Sequence, residues 1–177
     1  MRLLFLVGYA GSGKSSLGRR LARRLGYKFV DTDNLVEQQV GAPIADIFYY
    51  EGEEYFRRAE RSALEGLADM TENVVVATGG GMPTWGDNMA WMNAHGMTVY
   101  ISRTCEHILS RLTDYGREKR PMFRGKSDEE LLAFMRSQMA EREPFYAAAN
   151  VYVMCDAMSD DAVVEYIVNK IDTNNHE

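Results

Sequence analysis

One motif constrains this chain more than any other: Gly8-Tyr9-Ala10-Gly11-Ser12-Gly13-Lys14-Ser15, a full match to G-x-x-x-x-G-K-[ST]. Its setting matters as much as its letters. The apolar run Leu3–Val7 precedes it, and Leu17, Leu21 and Leu25 recur every four residues behind it, with Gly26 placed as a C-cap. The expected unit is a strand, a glycine loop and a helix. Glycines let backbone N–H groups turn inward around phosphate oxygens, and the helix adds its N-terminal amides and the positive end of its dipole. Lys14 supplies a cation for the β- and γ-phosphates, and the Ser15 hydroxyl is a ligand for Mg²⁺. Such a loop holds a nucleoside triphosphate. By itself it does not choose between a kinase, a GTPase and a motor ATPase. The opening Met1-Arg2 followed by apolar residues has some features of an export signal. The run is short, however, and cleavage there would destroy the loop, so a buried first strand is expected.

Four more short apolar runs follow: Tyr27–Val30, Val74–Ala77, Thr98–Ile101 and Val151–Met154. Continuous apolarity suits strands covered on both faces, as in a parallel sheet. Ile108 and Leu112 mark one intervening helix. Leu131, Leu132, Met135 and Met139 mark another, with Ser127 as N-cap and Glu130 at capping-box spacing. Strand alternating with helix means an α/β layered fold. A chain of 177 residues is expected to form a single domain, 1–177. Residues 34–70 hold more helix than one crossover needs and are expected to form a substrate-binding region. Residues 113–126 are polar, basic and glycine-flanked, which predicts a mobile functional loop. Residues 173–177 read as a frayed tail.

The formal net charge of −6 argues against a protein whose main task is gripping nucleic acid. No apolar stretch reaches the roughly 18 residues that span a bilayer. Cys105 and Cys155 lie far apart without metal-binding spacing and read as reduced thiols of a cytoplasmic protein.

Three further segments bear on the acceptor. Asp31-Thr32-Asp33 ends the second apolar run. Alternate positions on a strand share a face, so both carboxylates are expected at the carboxyl edge of the sheet, one for a magnesium shell and one for an acceptor hydroxyl. The competing reading is a turn that caps the next helix. Thr78-Gly79-Gly80-Gly81 ends the third run, and three glycines allow close approach of a ligand, or simply a flexible turn. Arg57 and Glu60, three apart on a helical pattern, share a face. An inward arginine held by a glutamate is a carboxylate receptor, although a surface ion pair is commoner.

Taken in order, the glycine loop, Asp31-Thr32-Asp33, Phe56-Arg57-x-x-Glu60, Gly79-Gly80-Gly81, Arg120-Pro121 and Arg142-x-x-x-Tyr146 resemble the shikimate kinase family over about residues 3–155. The resemblance implies a three-layer α/β P-loop fold with a five-stranded parallel sheet of order 2-3-1-4-5. It implies ATP-dependent phosphorylation of shikimate to shikimate 3-phosphate by a cytoplasmic monomer, with ATP, shikimate and Mg²⁺ as ligands and neither nucleic acid nor membrane as partner. Asp33, Lys14 and Arg120 would be catalytic. ATP would lie on Gly11, Ser12, Gly13, Lys14, Ser15, Ser16, Arg111 and Arg120. Shikimate would lie on Asp33, Arg57, Gly79, Gly80, Gly81 and Arg142, with Glu60 holding Arg57, and the metal on Ser15 and Asp31. The third run lacks a terminal aspartate, and Thr78 stands there, which leaves magnesium to Asp31. The lid, about 113–126, matches the family least, so Arg117, Lys119 and Arg124 receive no role. Its arginines are expected to repel one another until a triphosphate neutralises them. The alternatives are a gluconate or nucleotide kinase of the same fold, or an ATP-binding module without catalysis. A nucleotide acceptor would need a second base and phosphate site, and intact Lys14, Ser15, Asp31, Asp33 and Arg120 argue against lost catalysis.

Overall fold

Five parallel strands form one sheet: β1 (Leu3–Val7), β2 (Lys28–Asp31), β3 (Val74–Ala77), β4 (Met97–Ser102) and β5 (Val151–Met154). Their order is β2-β3-β1-β4-β5. The computed structural model describes residues 2–118 and 120–174; Met1, Lys119 and residues 175–177, most of the tail read as frayed, lie outside it. β1 sits at the centre with every residue buried. It pairs with β3 in the register Leu3↔Val74 to Leu6↔Ala77 and with β4 from Leu4↔Met97 to Val7↔Tyr100. That register brings the ends of β1 and β3, and hence the glycine loop and the Gly79–Gly81 run, side by side.

Alternation along β1 divides the core into two layers. Leu4 and Leu6 face α1 (Lys14–Leu25) and α9 (Asp160–Asn174), packing with Leu17, Leu21, Val163 and Ile167. Leu3, Phe5 and Val7 face the opposite layer. That layer includes α5 (Asn88–His95), α6 (Cys105–Arg111) and α8 (Asp128–Tyr146). Each such side chain contributes about 1.5–3 kcal/mol through removal from water. A third, smaller core of Val36, Ile47, Phe56 and Ala63 holds together α2 (Thr32–Val40), α3 (Ile44–Tyr50) and α4 (Gly52–Gly66). The helix-rich stretch after β2 therefore has a core of its own.

The predicted caps are present. Gly26 ends α1 in the left-handed conformation, with φ 69°. Ser127 and Glu130 form a complete capping box at the start of α8. Leu112 is the cap residue after α6 rather than part of it. The apolar run of β5 is not covered on both faces: Tyr152 and Met154 are exposed, because β5 is an edge strand.

Residues 113–126 also differ from the expected bare loop. They contain a short helix, α7 (Asp114–Glu118), and a 3₁₀ turn, Pro121–Phe123. Phe123 is fully buried and joins the core on the α8 side of the sheet. Nor do the arginines of this segment simply repel one another. Arg117 pairs with Asp128, and Arg124 donates to the Glu118 carbonyl at 2.6 Å. One aromatic anchor thus pins a polar segment. Truncating a buried Phe costs about 3–5 kcal/mol, more than an exposed segment withstands when Phe123 is its only core anchor among the described residues. Phe123→Ala is therefore expected to speed amide hydrogen exchange across 113–126 by about tenfold or more while leaving β1 protected. Unchanged exchange in the segment would show that Phe123 is not its anchor.

Candidate active site

The glycine loop leaves β1 with Gly8, Gly11 and Gly13 at φ 141°, 85° and 95°. A Cβ on Gly8 would sit 2.7 Å from the Ile101 carbonyl oxygen, so only glycine lets the loop turn here against β4. Lys14 opens α1 and folds back under the loop. Its Nζ donates to the carbonyl oxygens of Gly8 and Tyr9, both at 2.8 Å. Burial pushes its pKa down to about 8, with Asp33 the strongest opposing influence. The Ser12 hydroxyl is buried with no hydrogen-bond partner among the described residues, which suits a loop built to receive phosphate oxygens. Gly11, Gly13 and Ser15 are partly exposed and Ser16 is exposed.

Ser15 Oγ donates to Asp31 Oδ2 at 2.6 Å. Asp31 is the last residue of β2 and also the N-cap of α2, its Oδ1 accepting from the Asp33 amide at 3.1 Å. The Asp-Thr-Asp segment is therefore not an extended strand end, as alternation suggested. Asp33 lies in the first turn of α2, and both carboxylates reach the site because a helix starts there. Thr32 between them is buried and accepts from the Gly79 amide at 2.9 Å. Thr78, at the end of β3, donates to the Leu6 carbonyl at 3.0 Å and is taken up by the sheet.

The glycine run explains its own composition. A Cβ on Gly79 would meet Asp33 Oδ1 at 2.7 Å and Glu60 Oε1 at 2.9 Å. One on Gly80 would meet the Ala10 backbone nitrogen at 2.9 Å, and one on Gly81 would overlap the Arg57 guanidinium at 2.5 Å. Each glycine makes room for a different part of the site. Arg57 Nη1 donates to Glu60 Oε2 at 2.6 Å. Glu60 is almost wholly buried; burial pushes its pKa up to about 7, and Arg57 pulls the other way. Burial also works against the charge of Arg57, but Glu60 and Glu53 outweigh it and hold that pKa above the ordinary arginine value. The pair is an internal ion pair rather than a surface one.

Arg142 comes from α8, between two residues four positions away on the same face. Gln138 accepts from the Tyr9 hydroxyl at 2.7 Å, and the Tyr146 hydroxyl donates to the Gly80 carbonyl at 2.5 Å. The Arg142 guanidinium lies over the Tyr9 ring, 5.9 Å from its centroid. Beside Gly11 opens a cleft of about 260 Å³, lined by Arg111, Leu112, Thr113, Tyr115, Gly116 and Arg120. Arg111 also pairs loosely with Asp160 at 3.4 Å. Arg120 donates to the Gly116 carbonyl at 2.7 Å. Burial lowers its pKa, with Asp33 opposing, and its charge in turn lowers that of Lys14.

The structure thus gathers Lys14, Ser15, Asp31, Asp33, Arg57, Gly79–Gly81, Arg120 and Arg142 around one cradle, with Arg111 on its flank. It adds three residues that the sequence reading missed. Tyr9 occupies a variable position of the motif, so nothing marked it. Gln138 precedes Arg142 by one helical turn, which is a faint signal. Arg103 follows β4 at the carboxyl edge of the sheet, where open α/β sheets bind ligands. A cation at that edge could have been flagged.

A parallel sheet of this order, with a glycine cradle at the end of its central strand and acids and arginines facing it, defines a P-loop phosphotransferase. The sequence model described as "Shikimate kinase" matches residues 10–172, and the chain belongs to the shikimate kinase family. It is 39% identical over 171 residues to a shikimate kinase of Azobacteroides pseudotrichonymphae genomovar. CFP2, covering 97% of this chain and 100% of that one. A shikimate kinase of Parabacteroides distasonis is also 39% identical, over 97% of this chain and 98% of its own. Among solved structures, the shikimate kinase of Bacteroides thetaiotaomicron superposes with a TM-score of 0.87 at 35% identity, over 99% of each chain. That of Acinetobacter baumannii, in complex with shikimate, gives 0.88 at 30% identity, over 100% of this chain and 96% of the other.

The Lys14 pKa yields a pH dependence. A triphosphate held in the glycine loop would place negative charge beside the ammonium and raise its pKa above about 8. Between the two values binding takes up a proton, so nucleotide affinity falls as pH rises. The dissociation constant measured by calorimetry is expected to be flat from about pH 7 to 8 and then to rise about tenfold per pH unit. Lys14→Arg, which stays charged, should abolish the break. A constant that stays flat to about pH 10 in the native protein would mean that Lys14 keeps its proton throughout.

Proposed function

We propose that this chain transfers the γ-phosphoryl group of ATP to the 3-hydroxyl of shikimate, giving ADP and shikimate 3-phosphate, through the residues gathered around the Gly79–Gly81 run. One observation carries the reading: the phosphate cradle, an acid and a buried carboxylate receptor converge on those three glycines. In this reading Arg57, held by Glu60, and Arg142, seated over Tyr9, clamp the shikimate carboxylate. Asp33 orients the attacking hydroxyl and takes its proton as the new O–P bond forms and the β–γ bridging bond breaks. Lys14 and the loop amides hold the triphosphate in line. Arg120 balances charge on the moving phosphoryl group from the opposite side, and the 113–126 segment acts as a lid that excludes water. Arg111 flanks the base, and the α2–α4 unit around residues 34–70 is the substrate-binding region. The work is mainly positioning and charge stabilisation, which suits phosphoryl transfer.

Ser15 Oγ and an Asp31 carboxylate oxygen, 2.6 Å apart beside the cradle, fit Mg²⁺, which takes one or two protein oxygens together with phosphate oxygens and waters. When bound, Mg²⁺ supplies neutralisation of the β- and γ-phosphate charge. No helix among the described residues is long and apolar enough to cross a membrane. We place the enzyme in the cytoplasm as a monomer with no nucleic acid partner. The free thiols of Cys105 and Cys155 support the compartment, and the net charge of −6 supports the absence of a nucleic acid partner.

A coupled assay for ADP release should show turnover that requires shikimate as well as ATP; release indifferent to shikimate would sink the reading. Asp33→Asn should keep ATP affinity while turnover falls by about 10²–10⁴-fold. A near-normal kcat would remove Asp33 from the chemistry. Arg142→Ala should raise the KM for shikimate with little change for ATP, at a cost of roughly 2–5 kcal/mol. A defect confined to ATP would move Arg142 to the nucleotide.

A further inference from the structure

Arg103 stands just past the end of β4, and its side chain is only 1% exposed. It uses each nitrogen on a different neighbour. Nε donates to the Ser12 carbonyl at 3.0 Å. Nη1 donates to the Cys155 carbonyl at 3.0 Å and to His107 Nε2 at 3.2 Å, and Nη2 to Asp160 Oδ1 at 3.2 Å. A guanidinium only donates. His107 Nε2 therefore accepts, and the ring proton sits on Nδ1 facing Asp156 at 3.4 Å.

The bond to Ser12 bears on function. A trans peptide is planar, with its C=O and N–H on opposite sides. Holding the Ser12 oxygen toward β4 therefore turns the Gly13 N–H the other way. Gly13 has φ 95° and nothing within 4 Å of where a Cβ would be, so the loop is open there. The bond from Arg103 to the Ser12 carbonyl opposes rotation of that peptide. Through Asp160 it also reaches Arg111, on the cleft beside Gly11.

We propose that Arg103 is a positioning residue for the nucleotide: by fixing the Ser12 carbonyl it sets the Gly13 amide in the cradle, so triphosphate affinity depends on a residue that does not touch the phosphates. The inference rests on the reading of the glycine loop as the phosphate site. It is tested by calorimetry on the full chain with ATP, inorganic tripolyphosphate and shikimate. Arg103→Met is expected to weaken ATP and tripolyphosphate by the same factor, about tenfold or more, from the loss of a charge-assisted bond to the loop. Shikimate affinity should stay within about twofold, since Arg103 touches nothing on that side. Arg103→Lys keeps the buried cation but cannot span both Ser12 and Asp160, and should show the same split at smaller size. If the native protein binds neither ATP nor tripolyphosphate, the phosphate-site reading fails and takes this inference with it. If the native protein binds both and Arg103→Met binds both equally well, only the inference is overturned. Equal weakening of all three ligands with a lower Tm would make Arg103 merely structural and also overturn it. Should Arg103→Met not fold, Arg103→Lys decides by the same split.

Discussion

Three parts of the molecule press on the backbone of residues 79–81, and no side chain fits between them. Asp33 and Glu60 close on Gly79, the glycine loop on Gly80 and the Arg57 guanidinium on Gly81. These groups come from α2, α4 and the β1–α1 loop, which are distant in sequence. The contact exists because β3 lies between β1 and β2 in the sheet. A Cβ on Gly80 would push the phosphate loop away, and a Cβ on Gly81 would displace the arginine from its glutamate. The approach of the Arg57–Glu60 pair to the glycine loop is thus set by the thickness of a bare peptide chain.

Around that contact the charge is arranged against the average of the chain. The protein carries a net charge of −6, yet Lys14, Arg57, Arg120 and Arg142 converge on the cradle with Asp33 and Glu60 among them. Concentrating cations in a partly buried site is costly. The cost is visible in the lowered pKa values of Lys14 and Arg120, for which burial is the leading cause. Arg57 escapes it because Glu60 lies buried beside it. A site whose cations are weakened by burial would take up a polyanion readily, since incoming negative charge offsets the cost of keeping them charged there.

How much of this was legible depended on whether the signal was local. The glycine loop, the caps at Gly26 and Ser127, the sheet order and the Arg57–Glu60 pair are patterns within a few residues or follow from the family's ordered motifs, and they appear as expected. Alternation treats Asp31 and Asp33 as strand neighbours. Asp33 lies instead in the first turn of a helix, because Asp31 both ends a strand and caps that helix, and alternation has no way to see that change of period. Phe123 does not stand out inside a polar segment, because Tyr115, Met122 and Phe123 together show no helical or strand periodicity. Tyr9, Gln138 and Arg103 carry faint local signals at most, for a different reason. Their partners lie 129 residues away for Tyr9 and 91 for the Arg103–Ser12 bond, and only the fold brings them together.

The α8 face shows what those distant partners accomplish. Gln138, Arg142 and Tyr146 stand one turn apart. The outer two are bonded to fixed points of the cradle: Gln138 to Tyr9 in the phosphate loop, and Tyr146 to the Gly80 carbonyl. Arg142 lies between them over the Tyr9 ring. A long arginine on a free helix would lose considerable rotamer entropy on clamping a carboxylate. In the proposed reading part of that loss is already incurred, because the Arg142 guanidinium packs over the Tyr9 ring while Gln138 and Tyr146 fix the helix against the glycine loop and the Gly80 carbonyl. The same registration links the two halves of the site mechanically. A shift of the phosphate loop moves Tyr9, and with it both the hydrogen bond that aligns α8 and the ring beneath Arg142. Buried polar contacts of this kind add little to net stability. Their directionality is what lets one helix carry the position of the phosphate loop to a guanidinium on the other side of the site.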